Sequence, residues 1–189
     1  MTLKQTFFIM ALACLFSAQI QAQETPHFKV AFGLNIIDNS NETTQAPWGI
    51  KDASFSMPIY IGVAYQFNER WELGLNGTFN EMKVPALLPG AFGDKIESNF
   101  FALNIDANYY IIASDSRNFI DFYGILGSGF YSAFDGTAMT IQPGLGFNYW
   151  FTDNLGANVT AKANFDLGKD IPEVSNFYKY TIGLIYRFY

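Results

Sequence analysis

The sequence predicts an all-β fold, a single eight-stranded antiparallel up-and-down β-barrel. Three observations support this prediction. Apolar and polar residues alternate with a period of two in eight segments, the number of segments is even, and short connections alternate with longer ones along the chain. The 189 residues are enough for one domain of ordinary size. We therefore expect a barrel domain at residues 23–189, preceded by a leader at residues 1–22.

The leader has the features of a secretory signal peptide. Lys4 places a positive charge near the N-terminus, an apolar stretch runs from Thr6 to Ser17, and Ile20-Gln21-Ala22 resembles a cleavage site. A membrane-spanning helix is a weaker interpretation, because the stretch is shorter than the ~20 residues that a helix needs to cross a bilayer. Lipoprotein processing at Cys14 is a third alternative. Cys14 is the only cysteine, so the exported mature chain is expected to contain no disulfide or thiolate chemistry.

The first three strands are predicted at His27 to Ile36, Ile59 to Phe67 and Trp71 to Asn80. Bulky apolar residues occupy every second position in these segments, with few exceptions, and small or polar residues occupy the others. The polar residues Asn68-Glu69-Arg70 separate the second strand from the third. These two strands are therefore expected to form a hairpin.

Five further strands complete the prediction, at Ser98 to Ile111, Phe119 to Tyr131, Ala138 to Phe151, Leu155 to Asp166 and Tyr178 to Phe188. The segment 119–131 is the least regular of the five, because Gly124 and Ile125 do not fit its alternation. Connections 68–70, 113–118 and 152–154 are short, 37–56 and 84–97 are long, and 167–174 is intermediate. One rim of the barrel is thus expected to carry turns and the other rim longer loops.

The apolar face of the strands is expected to point outward. An eight-stranded barrel has room inside only for side chains or one small ligand, whereas the strands carry roughly forty bulky apolar residues. Only 15% of the residues are charged, against ~25% in soluble domains. Strands of about 10 to 12 residues, tilted by ~45°, rise about 25 Å, the height of a transmembrane apolar band. The sequence therefore predicts a transmembrane barrel and excludes a soluble, lipocalin-like one.

Charged residues within the strands fall almost entirely on the polar face, and only Glu81 and Lys83 break the rule. Toward the short-turn rim, this lumen charge network comprises Lys29, Glu72, Asp121 and Arg187. Toward the other rim it comprises Lys162, Asp166 and Lys179, with Asp106 nearer the middle. An unpaired charge in a narrow lumen costs several kcal/mol. The four acids and four bases are therefore expected to pair in two ionic layers.

The leader, the eight strands and the ending Thr181 to Tyr189 resemble the small outer-membrane barrels of Gram-negative bacteria, of the OmpA-like and OmpX-like kind. The resemblance implies an outer-membrane location with both termini in the periplasm. It also implies recognition of the last strand by the barrel-assembly machinery, through Gly183, Tyr186 and Phe188. The extra Tyr189 departs slightly from that pattern. The resemblance covers the barrel domain only, so the peptidoglycan-binding role of OmpA is not implied.

Sequence features that would support catalysis or nucleic-acid binding are weak. His27 is the only histidine, which argues against a lipid-modifying or peptide-cleaving enzyme. The glycines of Gly127-Ser128-Gly129 are followed by no helix that could bind a phosphate. The formal net charge of −6 and the lack of a basic cluster argue against a nucleic-acid partner. We predict no catalytic, cofactor or metal site.

The loops carry the only recognition candidates, which are the apolar residues Trp48, Leu87, Leu88 and Phe92. Such residues either pack on the barrel rim or contact lipid or a partner. The sequence thus predicts a monomer that contacts outer-membrane lipids and lipopolysaccharide and has a non-enzymatic structural or surface-interaction role. A narrow channel or carrier for small or hydrophobic molecules is the alternative. Bulky inward residues argue against that alternative, namely Tyr60, Tyr110, Tyr123 and Trp150.

Overall fold

The computed structural model describes residues 26–38, 58–85, 95–114, 119–168 and 176–189. The predicted leader lies outside these ranges. The loop candidates Trp48, Leu87, Leu88 and Phe92 also lie outside them. Within the described ranges, no helix is long and apolar enough to cross a membrane.

Eight strands close into one antiparallel barrel, and β8 pairs with β1. The strands are β1 His27–Asp38, β2 Ile59–Gln66, β3 Trp71–Pro85, β4 Lys95–Ile112, β5 Ile120–Ala133, β6 Gly136–Trp150, β7 Leu155–Asp166 and β8 Phe177–Phe188. Each strand pairs with its sequence neighbours, as in an up-and-down barrel. The predicted fold class and all eight strands are confirmed. We call the rim where β1 begins and β8 ends the terminal rim, and the opposite one the loop rim.

The register of the strands fixes their tilt. A path through directly opposed residues starts at His27 on β1, passes once around all eight strands and returns to β1 at Ile37. This displacement from residue 27 to residue 37 tilts the strands by roughly 40°, given a rise of ~3.3 Å per residue and a spacing of ~4.8 Å between strands. A strand of 12 residues such as β1 then rises about 30 Å, which matches the hydrocarbon core of a bilayer.

The side chains are arranged inside out relative to those of a water-soluble protein. Large apolar side chains of the outer face are exposed, as for Phe32 (60%), Ile105 (57%) and Leu126 (62%). Polar residues such as Asn35 and Asn148 are completely buried in the lumen. The prediction that the apolar face points outward is confirmed, and the exposed belt suits contact with lipid chains.

The irregularity predicted in β5 is not a break in the strand. β5 alternates between lumen and exterior throughout its middle, with Ile125 buried in the lumen and Gly124 on the outer face. Ile125 packs against Tyr110 and Tyr123, which form a small apolar cluster inside the barrel. At these two positions the apolar residue faces the lumen and the small residue faces outward, the reverse of the usual pattern. The backbone keeps its period of two.

The loop rim also contains one tight turn, between β5 and β6. Phe134 and Asp135 are its two central residues, with φ of 49° and 61°. Positive φ at both positions is typical of the type I′ turn that connects hairpin strands, which usually requires Asn or Gly. Phe134 packs against buried residues of the lumen, and its N–H donates to Ser98 Oγ at 2.8 Å. The loop rim therefore combines longer connections with one short hairpin.

The hydrogen-bonded ladder is interrupted once between β6 and β7. Ile141 faces Phe165 and Gly144 faces Lys162, whereas the two positions between them on β6 are not paired with β7. Pro143 occupies one of these positions and has no N–H to donate. The ladder between β6 and β7 therefore lacks its regular pairing at this point.

Candidate functional site: the charged lumen

The lumen is closed at the terminal rim by a polar group around Trp150. Trp150 Nε1 and Asn148 Nδ2 donate to Asp121 Oδ2 at 2.7 and 2.9 Å, and the Ser114 N–H donates to Asp121 Oδ1 at 2.6 Å. The Arg187 guanidinium lies 3.9 Å from the Trp150 ring centroid and donates to Ser114 Oγ at 3.1 Å. Asp121 and Arg187 are thus brought into one layer, but they are linked through Ser114 and Trp150 instead of a direct ion pair.

Lys29 and Glu72 form a buried ion pair just inside this group. Lys29 Nζ lies 2.9 Å from Glu72 Oε2 and also donates to Gln66 Oε1 and Tyr110 OH at 2.5 and 2.8 Å. Glu72 accepts from Asn108 Nδ2 at 2.7 Å and from Tyr110 OH at 2.8 Å. Both side chains are buried, so their partners replace the water that each charge has lost.

A second ion pair joins Lys162 to Asp106 across the middle of the lumen. Asp106 Oδ2 accepts from both Lys162 Nζ and Asn76 Nδ2, the latter at 2.6 Å. The carboxylate lies over Gly127 of β5, where a Cβ atom would overlap it. Gly127 therefore makes room for Asp106.

The structure does not assemble the expected second layer as one group. Asp166 accepts from Tyr131 OH at 2.8 Å and forms no ion pair with a lysine of the described ranges. Lys179 lies directly opposite Lys162 on the neighbouring strand and is 1% exposed. Its ammonium group has no hydrogen-bond partner within the described ranges. The two lysines thus lie side by side, and only Lys162 reaches a carboxylate.

An aromatic cap fills the lumen near the loop rim. It comprises Ile37, Phe100, Ala102, Tyr131, Ala133, Ala138 and Phe177, none more than 3% exposed. The Phe100 ring centroid lies 5.7 Å from those of Tyr131 and Phe177. Residue type does not predict the cap, because Phe100 and Phe177 are as apolar as the residues of the outer face. Phe100 and Phe177 each lie an even number of residues from inward-facing residues on their strands. This spacing is the sequence signal that identifies both as inward-facing.

The family follows from a comparison that covers almost the whole chain. The model for the outer membrane protein beta-barrel domain matches residues 8–188. The chain belongs to this family of outer-membrane barrels. It is therefore an integral protein of the outer membrane, as the outward apolar belt and closed sheet also indicate. A search of curated proteins found no significant match.

Solved structures of outer-membrane barrels share this fold. OprG from Pseudomonas aeruginosa is 16% identical, with 90% of this chain and 100% of that chain covered and a TM-score of 0.62. Neisserial surface protein A is 13% identical, with 88% and 98% covered and a TM-score of 0.54. Outer Membrane Protein W of E. coli is 10% identical, with 88% and 100% covered and a TM-score of 0.52. At these identities the likeness shows the fold alone.

The C-terminal residues of this outer-membrane barrel lie at the seam between β1 and β8. Gly183 faces Gly33, and a Cβ on either glycine would overlap the backbone of the opposite strand. Tyr186 and Phe188 are exposed on the outer face, with ring centroids 4.7 Å apart. Their predicted role in assembly stays a prediction, but their place at the closing seam is consistent with it.

In the described part of the barrel, no group of three His, Cys, Asp or Glu side chains is placed to hold a metal ion. His27 is buried at the terminal rim, and its ring centroid lies 5.3 Å from that of the C-terminal Tyr189. The histidine is therefore part of the packing at the terminal rim.

Proposed function

We propose that this outer-membrane barrel has a non-enzymatic role in envelope structure or surface interaction, exercised through its loops. The observation that carries the proposal is the filling of the lumen by side chains at successive heights. The Trp150 group, the two ion pairs and the aromatic cap follow one another from the terminal rim to the loop rim. A barrel filled in this way offers its rims and its lipid belt for interaction, and not a continuous water-filled passage.

The orientation proposed for the barrel places both termini in the periplasm and the loop rim outside the cell. Short turns at 67–70 and 151–154 lie at the terminal rim, and most of the longer connections lie at the loop rim. Outer-membrane barrels have short periplasmic turns and longer extracellular loops. The loop candidates Trp48, Leu87, Leu88 and Phe92 would then face lipopolysaccharide and the cell surroundings.

The proposed partners are membrane lipids, lipopolysaccharide and the barrel-assembly machinery. Each of the eight strands pairs with a neighbour on both sides in the closed sheet, which supports a monomer. The assembly role rests on the family resemblance of the last strand. Phe188→Ala is expected to lower the amount of protein in purified outer membranes, measured by immunoblotting. An unchanged amount would contradict this role for Phe188.

Planar-bilayer recordings test the closed lumen. The refolded wild-type protein is expected to give no steady ion conductance. The comparison is a Phe100→Ala, Phe177→Ala double variant, in which the aromatic cap is smaller. Steady wild-type conductance would replace the proposal with the alternative, a narrow channel or carrier for small or hydrophobic molecules.

Changes in the loops test surface interaction directly. We would replace the four loop candidates by serine and compare this variant with wild type in a strain that lacks the protein. Retained heat-modifiable gel mobility would show that the variant barrel folds. Loss of surface adhesion or of resistance to detergents in such a folded variant is the expected result. Full complementation by the variant would contradict a role for these residues.

A further inference from the structure

Lys179 carries a buried ammonium group without a counter-charge in the described part of the lumen. Its side chain is 1% exposed, and Nζ has no hydrogen-bond partner within the described ranges. Lys162, directly opposite on β7, is already paired with Asp106. A buried ammonium is costly when neither hydrogen bonds nor an opposite charge replace its lost hydration. The described residues therefore leave one excess positive charge here.

The acidic residues of the lumen charge network do not supply the missing partner. Each of them contacts another side chain within the described ranges, namely Glu72, Asp106, Asp121 and Asp166. Asp106 has a second carboxylate oxygen, but the register places this residue roughly 7 Å nearer the terminal rim than Lys179. A counter-charge for Lys179 must come from elsewhere.

Two more buried polar atoms without hydrogen-bond partners in the described ranges lie at the height of Lys179. They are Thr78 Oγ1 on β3 and Gln142 Oε1 on β6. With the strands tilted by roughly 40°, each passage to the next strand in sequence order rises by about 3 Å, and each residue along a strand accounts for about 2.5 Å. The register then places Thr78, Gln142 and Lys179 within about 2 Å of one another in height.

These three side chains extend inward from different sides of the barrel. Their strands, β3, β6 and β8, lie two or three strands apart around the closed sheet. An eight-stranded barrel with this tilt has a radius of roughly 8 Å, and a lysine side chain is about 6 Å long. The Lys179 ammonium is therefore within reach of the barrel axis, toward which Thr78 and Gln142 also point.

We propose that Lys179, Thr78 and Gln142 bind one small monovalent anion in the lumen. The Lys179 ammonium supplies the opposite charge and donates hydrogen bonds, and the Thr78 hydroxyl donates a further one. One negative charge balances the excess positive charge left by the described residues. A cation would instead add to the charges of Lys162 and Lys179.

Gln142 determines which anion fits best. Its Nε2 donates to Asn104 Oδ1 and Thr140 Oγ1, so Oε1 remains available only as an acceptor. Hydrogencarbonate has a hydroxyl group that can donate to this oxygen, and its other oxygens can accept from Lys179 and Thr78. Chloride can only accept. We therefore expect hydrogencarbonate to bind more tightly than chloride.

The aromatic cap lies between this layer and the loop rim. Its member Phe177 is two residues from Lys179 on β8 and is 3% exposed. The anion is therefore expected to enter while the barrel folds. For this reason the test begins with refolding in the presence of each anion, and it does not depend on whether the folded lumen conducts ions.

Urea unfolding of the full barrel in lipid vesicles tests the proposal. The protein is refolded in sodium hydrogencarbonate, chloride or gluconate at one pH and one ionic strength, and gluconate serves as the control anion because it is much larger. The wild-type urea midpoint should be highest in hydrogencarbonate and should rise with its concentration. Lys179→Met should show no such rise. Equal wild-type midpoints in the three anions, or the same rise in Lys179→Met, would overturn the proposal.

A pair of threonine substitutions tests the second donor. Thr78→Val removes the hydroxyl with little change of shape and should reduce the difference in midpoint between hydrogencarbonate and gluconate. Thr160→Val is the matched control, because Thr160 Oγ1 is already hydrogen-bonded to Thr181 Oγ1 at 2.6 Å. It should leave that difference unchanged. An equal response of the two variants would contradict the role of Thr78.

Nitrogen-15 NMR of the lysine side chains tests the counter-charge directly. The Lys179 Nζ resonance is expected to be that of an ammonium group in hydrogencarbonate and to differ in chemical shift from the gluconate sample. The Lys29 resonance is the control, because its ion pair with Glu72 occupies it in both samples. A neutral Lys179 amine with the same shift in both samples would overturn the proposal.

Discussion

Replacement of Glu72 by glutamine should strongly destabilise the barrel. Three donors converge on this carboxylate: Lys29 Nζ at 2.9 Å, Tyr110 OH at 2.8 Å and Asn108 Nδ2 at 2.7 Å. Either orientation of the glutamine amide turns its NH₂ group toward at least one of these donors. Lys29 also loses its counter-charge inside the lumen. Breaking a buried ion pair from one side costs about 3–5 kcal/mol, which is the expected loss in the free energy of unfolding.

A second substitution at Lys29 should recover part of this loss. Lys29→Met alone leaves the Glu72 carboxylate without its counter-charge, whereas the double variant carries neither buried charge. We expect the double variant to be more stable than the sum of the single effects predicts, by about 2–3 kcal/mol. The measurement is urea unfolding in lipid vesicles, followed by tryptophan fluorescence and by heat-modifiable gel mobility.

Arg187 provides the matched control for this cycle. Its position along β8 predicts that Arg187 lies in the same layer as Glu72, but Arg187 contacts Ser114, Trp150 and the Asp153 carbonyl oxygen. The effects of Glu72→Gln and Arg187→Met on the free energy of unfolding should therefore be additive within about 0.5 kcal/mol. Strict additivity for Lys29 and Glu72, or strong coupling through Arg187, would refute the assignment of the pair.

Three further predictions concern the outer face, the unpaired lysine and the closing seam. Leu75→Arg should destabilise the inserted barrel by about 2–4 kcal/mol, measured by urea unfolding in vesicles, because Leu75 is exposed to lipid near mid-strand. Lys179→Met should raise the urea midpoint and Lys162→Met should lower it, because of these two lysines only Lys162 has a carboxylate partner among the described residues; the reverse order would contradict this assignment. Gly183→Ala should reduce the folded fraction on unboiled gels, because its Cβ would overlap β1, whereas Gly77→Ala should leave that fraction unchanged.

The period of two was enough to predict which face of each strand is outward. It worked at Leu75 and Asn76, because the two residues differ in polarity and point in opposite directions. Parity is fixed by the backbone, so it also holds at Ile125, where residue type points the wrong way. The tight turn at Phe134-Asp135 could not be predicted, because its positive φ values are favoured by Asn and Gly rather than by Phe.

The pairing of the lumen charges could not be predicted because it depends on register. Lys162 and Asp106 come from β7 and β4, which are not neighbours in the sheet. They meet across the lumen only because the strands tilt and shift by the displacement from His27 to Ile37. Sequence position along a strand gives approximate height, and it correctly predicts that Lys29 and Glu72 lie in the same layer. It does not say which carboxylate a long lysine side chain will reach.

The lumen glycines show how strongly the interior of the barrel is constrained. A Cβ at Gly127 would overlap the Asp106 carboxylate, and a Cβ at Gly146 would overlap the Tyr123 ring. Each glycine thus makes room for one large or charged side chain that fills the lumen. Altering this interior to bind a new ligand would require simultaneous changes on several strands, because each substitution disturbs a packed partner. Selection for new interactions is therefore expected to leave the lumen fixed.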